Sequence, residues 1–277
     1  MLVVNGGRPR AVDLAREAAA WLGERGHDVR LSKQDAEAAG LHRLGVEPGE
    51  LVEEGDAVLA LALGGDGTIL RTVHLVAGRD TPVLGVNLGR LAYLSNIEPD
   101  ALCAALDSFL AGDFTVEERT MLSVTAAGTT RLALNEAVIE KNSPGHSVHL
   151  AVSIDGRPFA RHVADAVILA TPTGSTAYSF SAGGPIVSPR HQAVIITPVA
   201  PHTPFTRSLV LHPDEPVRVE VLDERGAVLS IDGQEVGRLA QGDTVDGQVA
   251  LVRARFVTFG DRDFYGVLKA KFGLADR

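Results

Sequence analysis

Cysteine is almost missing from this chain. Cys103 is the only one among 277 residues, which excludes an intrachain disulfide and a zinc site of the multi-cysteine type. It sits in the apolar stretch Ala101-Leu102-Cys103-Ala104-Ala105-Leu106 and reads as core packing. Long apolar runs are missing too. None approaches the roughly 20 residues that span a bilayer, and no basic segment followed by an apolar one opens the sequence. No membrane partner is therefore expected, and a cytoplasmic location is. Positive charge is in deficit: 26 Lys and Arg stand against 35 Asp and Glu, a net charge of −9. That balance argues against non-specific nucleic-acid binding. It leaves small phosphorylated ligands open, because a few local cations and backbone N–H groups suffice for those. Low-complexity tracts and internal repeats are absent. What is present is a globular composition, in a chain long enough for two domains.

The most informative stretch is Gly64-Gly65-Asp66-Gly67-Thr68. Before it runs Ala57 to Leu63, apolar and of strand length. After it, Ile69 to Ala77 reads as a short helix with Ile69, Leu70, Val73 and Val76 on one face. The glycines thus fall on a strand-to-helix turn. There they let backbone N–H groups approach a ligand, and a helix start favours an anion. Asp66 puts a carboxylate where phosphate is favoured, which points to metal binding or proton abstraction. The plainer alternative is a Gly-Asp-Gly turn whose Asp bonds its own backbone.

The surrounding pattern is α/β up to about residue 112. Met1 to Asn5 reads as a strand, Ala11 to Arg25 as an amphipathic helix, Val29 to Leu31 as a further strand, Pro82 to Val86 as a buried strand and Asp100 to Leu110 as a helix. Residues 32 to 55 are polar and weakly patterned. Strand and helix in alternation imply a Rossmann-like parallel sheet, with ligands beyond the carboxyl ends of its strands. Asn87 stands at that edge with Asp66. Gly6-Gly7 reads either as another phosphate-contacting turn or, preferably, as a plain connection. From Asp113 to about residue 260 helical periodicity gives way to short alternating segments broken by turn residues, an all-β second domain. Residues 261 to 277 hold an amphipathic stretch (Phe264, Val267, Leu268, Phe272) that either caps the second domain or returns to the first.

Two segments of the β-rich half are unusual. Asn135-Glu136 interrupts an apolar strand, where an amide and an acid need partners. Asn reads an adenine edge or a hydroxyl pair, and Glu accepts from ribose hydroxyls; the alternative is a strand end in water. The run from Asp165 to Pro185 follows an apolar strand with hydroxyls (Thr171, Thr173, Ser175, Thr176, Ser179, Ser181), glycines (Gly174, Gly183, Gly184) and Tyr178, whose ring can stack. A wall around a nucleoside accounts for it better than a linker does. His146 and His149 lie three apart, on opposite faces of a strand. They are read as non-metal residues, His146 near the ligand.

Taken together, Gly64-Gly65-Asp66-Gly67-Thr68, Asn87-Leu88-Gly89-Arg90, Asn135-Glu136, Thr171-Pro172-Thr173-Gly174-Ser175-Thr176-Ala177-Tyr178-Ser179 with Gly183-Gly184-Pro185, and Ser230-Ile231-Asp232-Gly233-Gln234 resemble the bacterial NAD kinases. The resemblance runs along nearly the whole chain, to Phe264-Tyr265. It implies transfer of the γ-phosphoryl of ATP, or of polyphosphate, to the 2′-hydroxyl of the adenosine ribose of NAD. It also implies Mg²⁺ or another divalent cation arriving with ATP rather than on protein ligands, a sandwich-like second domain, and a homodimer or homotetramer. By position, Asp66 is implied as proton acceptor. Gly64, Gly65, Gly67, Thr68, Arg71, Asn87, Asn135, Glu136, His146, Asp165, Thr176, Ala177, Tyr178, Ser179, Ser181 and Gln234 are implied or read as ligand-binding, with Arg71 or Arg90 neutralising phosphate charge. Two departures stand out. Ala92-Tyr93 replaces the family's Gly-Phe, and Val163 stands where some relatives carry an arginine, which bears on the choice between NAD and NADH. The rival readings are a lipid kinase of the diacylglycerol type, which lacks the Thr-Gly-Ser-Thr-Ala-Tyr run, and a non-catalytic dinucleotide-binding regulator, against which Asp66 argues.

Overall fold

The computed structural model describes residues 1–47, 50–53, 57–89, 93–95, 97–260 and 263–274. Arg90 and Ala92 lie outside the described residues. The chain forms two compact units, Met1–Glu118 with Ala254–Arg277, and Arg119–Arg253.

The first unit opens with β1 (Leu2–Val4), α1 (Pro9–Glu24), β2 (Leu31–Ser32), α2 (Lys33–Ala39), β3 (Gly45–Val46) and α3 (Glu50–Glu53). It continues with β4 (Ala60–Gly64), α4 (Asp66–Val76), β5 (Val83–Asn87) and α5 (Leu102–Ala111). β1, β4 and β5 pair in parallel, in that spatial order, with Leu2 opposite Leu61 and Gly64 opposite Asn87. Every residue of β4 is buried, as expected of a central strand in a covered parallel sheet. Proline at the start of α1 presets its backbone, and Ala11, Leu14, Ala15, Ala18 and Ala19 form its buried face. α2 lies in the stretch that shows no clear pattern in sequence. Its signals are at its ends: the Ser32 hydroxyl accepts from the Asp35 N–H at 3.1 Å, and Gly40 closes it in the left-handed region at φ 68°. Only Asp35, Ala36 and Ala39 are buried, too few apolar positions to reveal a periodicity.

The second unit is antiparallel. Its strands are β6 (Thr115–Ala126, which begins in the first unit), β7 (Thr129–Ala133), β8 (Glu136–Lys141), β9 (Val148–Ile154), β10 (Arg157–Ala164) and β11 (Ala166–Ala170). The short helix α6 (Tyr178–Ser181) follows. Then come β12 (Val194–Val199), β13 (Leu209–Leu211), β14 (Val217–Val221), β15 (Ala227–Ile231), β16 (Gln234–Leu239) and β17 (Thr244–Thr258). One sheet runs β13-β12-β11-β8-β15-β16, and β10-β9-β14-β17 form a second layer. β14 alternates buried Val217, Val219 and Val221 with exposed Arg218 and Glu220, a strand with one face on a core. Leu150 and Val152 of the second layer share that core with Val167, Leu169 and Ile139 of the first. A Cβ on Gly247 of β17 would stand 2.7 Å from the Leu169 Cδ1. This is a sandwich.

The end of β17 returns to the first unit, where Phe256, fully buried, pairs in parallel with Val83 of β5. α7 (Phe264–Phe272) follows, capped by Asp263, which accepts from the Gly266 N–H. No helix among the described residues is long and apolar enough to cross a membrane.

Candidate functional site

In the first unit the candidate residues gather at the carboxyl ends of the parallel strands. Gly64 ends β4, Gly65 is the extended N-cap of α4, and Asp66 is the helix's first residue. The turn can be this tight because Gly64 has no side chain: a Cβ there would lie 2.1 Å from the Thr68 hydroxyl. Gly67 is the opposite case, with nothing within 4 Å of the place a Cβ would take. Asp66 does not bond its own turn. Its Oδ2 accepts from the Tyr93 N–H and its Oδ1 from the Leu94 N–H, both at 3.1 Å. The carboxylate is thus held at two points by a loop 27 and 28 residues away, and each oxygen keeps a lone pair free.

A cation stands close by. The Lys271 ammonium of α7 lies 3.1 Å from the centroid of the Tyr93 ring. Burial pulls its pKa down while the charge of Asp66 pulls it up. Burial and the same carboxylate push the Tyr93 phenol up.

A cavity of about 710 Å³ opens beside the turn, lined among others by Gly6, Gly7, Arg8, Gly65, Asp66, Gly67, Thr68 and Arg71. Gly6-Gly7 therefore faces the same space as the Gly64–Thr68 turn, although the sequence favours a plain connection. Arg71 also faces it, but its charge is already countered. Its Nη2 donates to the Val4 carbonyl at 2.8 Å and to the buried Asp35 carboxylate at 2.9 and 3.1 Å. Asn87 donates to Glu98 at 3.1 Å and accepts from the Gly89 N–H at 3.0 Å, which shapes the loop after β5.

In the second unit Asn135 falls between β7 and β8, and Glu136 opens β8. Glu136 is 6 % exposed, and its Oε2 has no hydrogen-bond partner in the structure. Burial, then the charge of Asp232, push its carboxyl up to about 8, against a hydrogen bond from the Tyr178 N–H. An orphaned buried acid is costly to keep. Tyr178 ties the set together: burial raises its phenol, and so do the charges of Glu140, Asp165 and Glu136, against Lys141. Asp165 accepts from the Lys141 ammonium at 2.6 Å.

The hydroxyl-rich run is mostly internal carpentry. Ser175 bonds the Pro172 carbonyl, Thr176 the Thr173 carbonyl, and Ser179 is fully buried against the Thr197 hydroxyl at 2.9 Å. What these bonds build is a close backbone approach: a Cβ on Gly174 would stand 2.0 Å from the Asn135 carbonyl oxygen. Ala177 is half-buried just ahead of α6, while Ser181, at its end, and Gln234, at the start of β16, are exposed. His146 is exposed in the loop after β8, and His149 is exposed on β9, where its charge acts on Asp223. Among the described residues no group of three or more His, Cys, Asp and Glu is placed to hold a metal ion.

Two residues to which the sequence assigns no role stand among these groups. Lys271 lies near Asp66 only because the chain end folds back. Asp232 reads in sequence as half of an Asp-Gly turn, yet its carboxylate accepts from the N–H groups of Leu134, Asn135 and Glu136.

Comparison with known proteins bears on both units. A family model described as the ATP-NAD kinase N-terminal domain matches residues 1–114, and one described as the ATP-NAD kinase C-terminal domain matches residues 134–259. NAD kinase 1 of Streptomyces avermitilis is 38 % identical over 317 residues, spanning 99 % of this chain and 87 % of that protein. Among solved structures, yeast NADH kinase complexed with NADH is similar at a TM-score of 0.90 and 26 % identity, covering 100 % of this chain and 87 % of that one. An NAD kinase from Archaeoglobus fulgidus in complex with ATP is similar at a TM-score of 0.74 and 26 % identity, covering 95 % of each chain.

Proposed function

The chain belongs to the ATP-NAD kinase family, a phosphotransferase family, and from that premise we propose how its residues divide the work. The reaction moves the γ-phosphoryl of ATP to the 2′-hydroxyl of the adenosine ribose of NAD, giving ADP and NADP. The acceptor hydroxyl ionises far above neutral pH, so a group must orient it and take its proton as the new P–O bond forms. Asp66 is that group. The observation that carries this is the double anchoring of its carboxylate by the Tyr93 and Leu94 N–H groups, which fixes direction while leaving acceptor capacity on both oxygens.

The phosphates of the donor belong in the cavity at the start of α4, where the first backbone N–H groups of the turn, Gly65 to Gly67, and the helix dipole favour negative charge. Arg71 lines that cavity with its guanidinium already paired with Asp35, and so shapes the wall rather than acting as a mobile phosphate clamp. Mg²⁺ would arrive with ATP and neutralise phosphate charge in this cavity, and Asp66, with acceptor capacity on both oxygens, is the carboxylate that would hold it there. Asn135, Glu136 and the Tyr178 wall bind the dinucleotide, the orphaned Glu136 oxygen accepting from a ribose hydroxyl. The proposal extends to a cytoplasmic location, where ATP and NAD are both at hand, and to a homodimer or homotetramer.

A coupled assay tests it. The protein is incubated with NAD, ATP and Mg²⁺, and NADP is detected with an NADP-specific dehydrogenase, with polyphosphate as donor in a parallel series. NADP formation is expected with ATP. Folded protein that binds NAD and forms no NADP with either donor would overturn the reading.

A further inference from the structure

The backbone of Leu134, Asn135 and Glu136 is held at every polar atom. The Asp232 Oδ2 accepts from the Leu134 N–H at 2.8 Å, and its Oδ1 accepts from the Asn135 and Glu136 N–H groups at 2.8 and 3.0 Å. The carbonyls are taken as well. Leu134 accepts from the Thr171 hydroxyl at 2.5 Å, Asn135 from the Thr171 N–H at 2.8 Å, and Glu136 from the Asp232 N–H at 3.0 Å. Three donors and three acceptors are satisfied by two residues. No backbone N–H of the three is left to engage a ligand, so the donors and charge there are those of the Asn135 and Glu136 side chains.

Asp232 can do this because of its own backbone. β15 ends at Ile231 and β16 begins at Gln234, so Asp232-Gly233 is a two-residue hairpin loop, with φ of 47° and 77°. Positive φ at both positions is the type I′ geometry that Asp-Gly favours. From this turn the Asp232 carboxylate reaches the start of β8, the strand paired with β15. A carboxylate is the one common side chain that can accept three N–H bonds in so small a space.

We propose that Asp232 is the positioning residue of the dinucleotide subsite, holding Asn135 and Glu136 in their binding geometry before the ligand arrives. The inference rests on the proposed NAD kinase reading and adds a residue to it. A site whose contacts are preset loses less ordering entropy on binding, and an N–H triplet left without its acceptor would let the segment relax away from the wall at Gly174. The charge of Asp232 has a second consequence. It adds to burial in keeping a proton on Glu136, the other groups around that carboxyl being the Tyr178 N–H and phenol, with Glu140, Asp165 and Lys141 beyond.

The test uses Asp232→Asn and Asp232→Gly in the full chain. Both tolerate the type I′ turn, so the hairpin is expected to survive. NAD affinity is measured by calorimetry from pH 6 to 9, alongside kcat and the KM for NAD and for ATP. D232G is expected to weaken NAD binding by about 10- to 100-fold, the size seen when a group that orients a ligating side chain is removed. The KM for NAD rises, while kcat and the KM for ATP change by less than about threefold. D232N is expected to move the pH midpoint of NAD binding downward, which a merely structural role would leave in place. NAD affinity in D232G within about threefold of wild type, or an unmoved midpoint in D232N, would overturn the inference. Wild type that binds no NAD would instead overturn the reading beneath it. If neither variant folds, amide hydrogen exchange on the unliganded wild type decides. Leu134 and Asn135, outside any strand, are expected to exchange as slowly as the interior of β8, and fast exchange would overturn the clamp.

Discussion

Two carboxyls of the candidate site, Asp66 and Glu136, are held differently. Asp66 is pinned by backbone N–H groups at an open cavity, whereas Glu136 is sealed from water with one oxygen unpaired. Asp66→Asn keeps the size and one acceptor but removes the base, so kcat is expected to fall at least ~100-fold with little change in the KM for NAD, as read by the coupled assay. Glu136 makes a pH prediction. Its folded-state pKa of about 8 lies above the ordinary 4.5, so folding favours the protonated form. That contribution to stability is complete below about pH 4.5 and is lost as pH rises through 8. Glu136→Gln removes the titration. The unliganded variant is expected to melt above wild type at pH 9 and close to it at pH 4.5, while binding NAD more weakly. Wild-type NAD affinity is expected to rise through pH 8, because a carboxylate accepts a ribose hydroxyl more strongly than the acid does. Calorimetric melts and NAD titrations at the two pH extremes check both.

At the scale of elements, the β4–α4 turn separates structural glycine from functional glycine. Gly64→Ala would drive a Cβ into the Thr68 hydroxyl and is expected to lower the melting temperature by several degrees. Gly67 lies inside α4 with open space where a Cβ would go. Gly67→Ala is expected to stabilise the unliganded protein by up to about 1 kcal/mol through helix propensity, yet to lower kcat/KM by blocking the approach of a ligand. Melting curves and steady-state kinetics on the pair test this, and parallel losses of stability would refute it. The turn was readable in sequence because strand, glycines and amphipathic helix are all local. α2 was not, since a helix with three buried positions among polar ones has no periodic signature; only Ser32 and Gly40 mark it. Ser179 shows the converse limit. A serine in a ligand wall and a serine buried against Thr197 look the same in sequence.

Over the whole molecule the first unit is built from both ends of the chain. Residues 254–277 belong with residues 1–118, and Phe256, fully buried, pairs with Val83 while Val257 joins the first core. Phe256→Ala is expected to cost about 3–5 kcal/mol, as large-to-small changes of a buried aromatic do, read as a fall in the urea midpoint. Saturation with NAD gives an independent check on the whole enzyme. At about 100 times its Kd, a ligand that binds only the folded state adds about 2.7 kcal/mol, and a melting temperature unchanged by NAD would contradict dinucleotide binding.

The chain's own residues determined the parallel α/β beginning, the β-rich continuation, the glycine turn between β4 and α4 and the family, because each is written in local periodicity, turn chemistry or a contiguous motif. Tertiary structure alone decided which distant groups serve those motifs. Tyr93 and Leu94 anchor Asp66, Asp35 restrains Arg71, Lys271 returns to Tyr93, and Asp232 grips Leu134 to Glu136. The reason is physical. A buried backbone donor or a buried charge must find a partner, and where that partner lies is set by how strands and turns bring distant segments together, at sequence separations from 27 to 178 residues that no local pattern records.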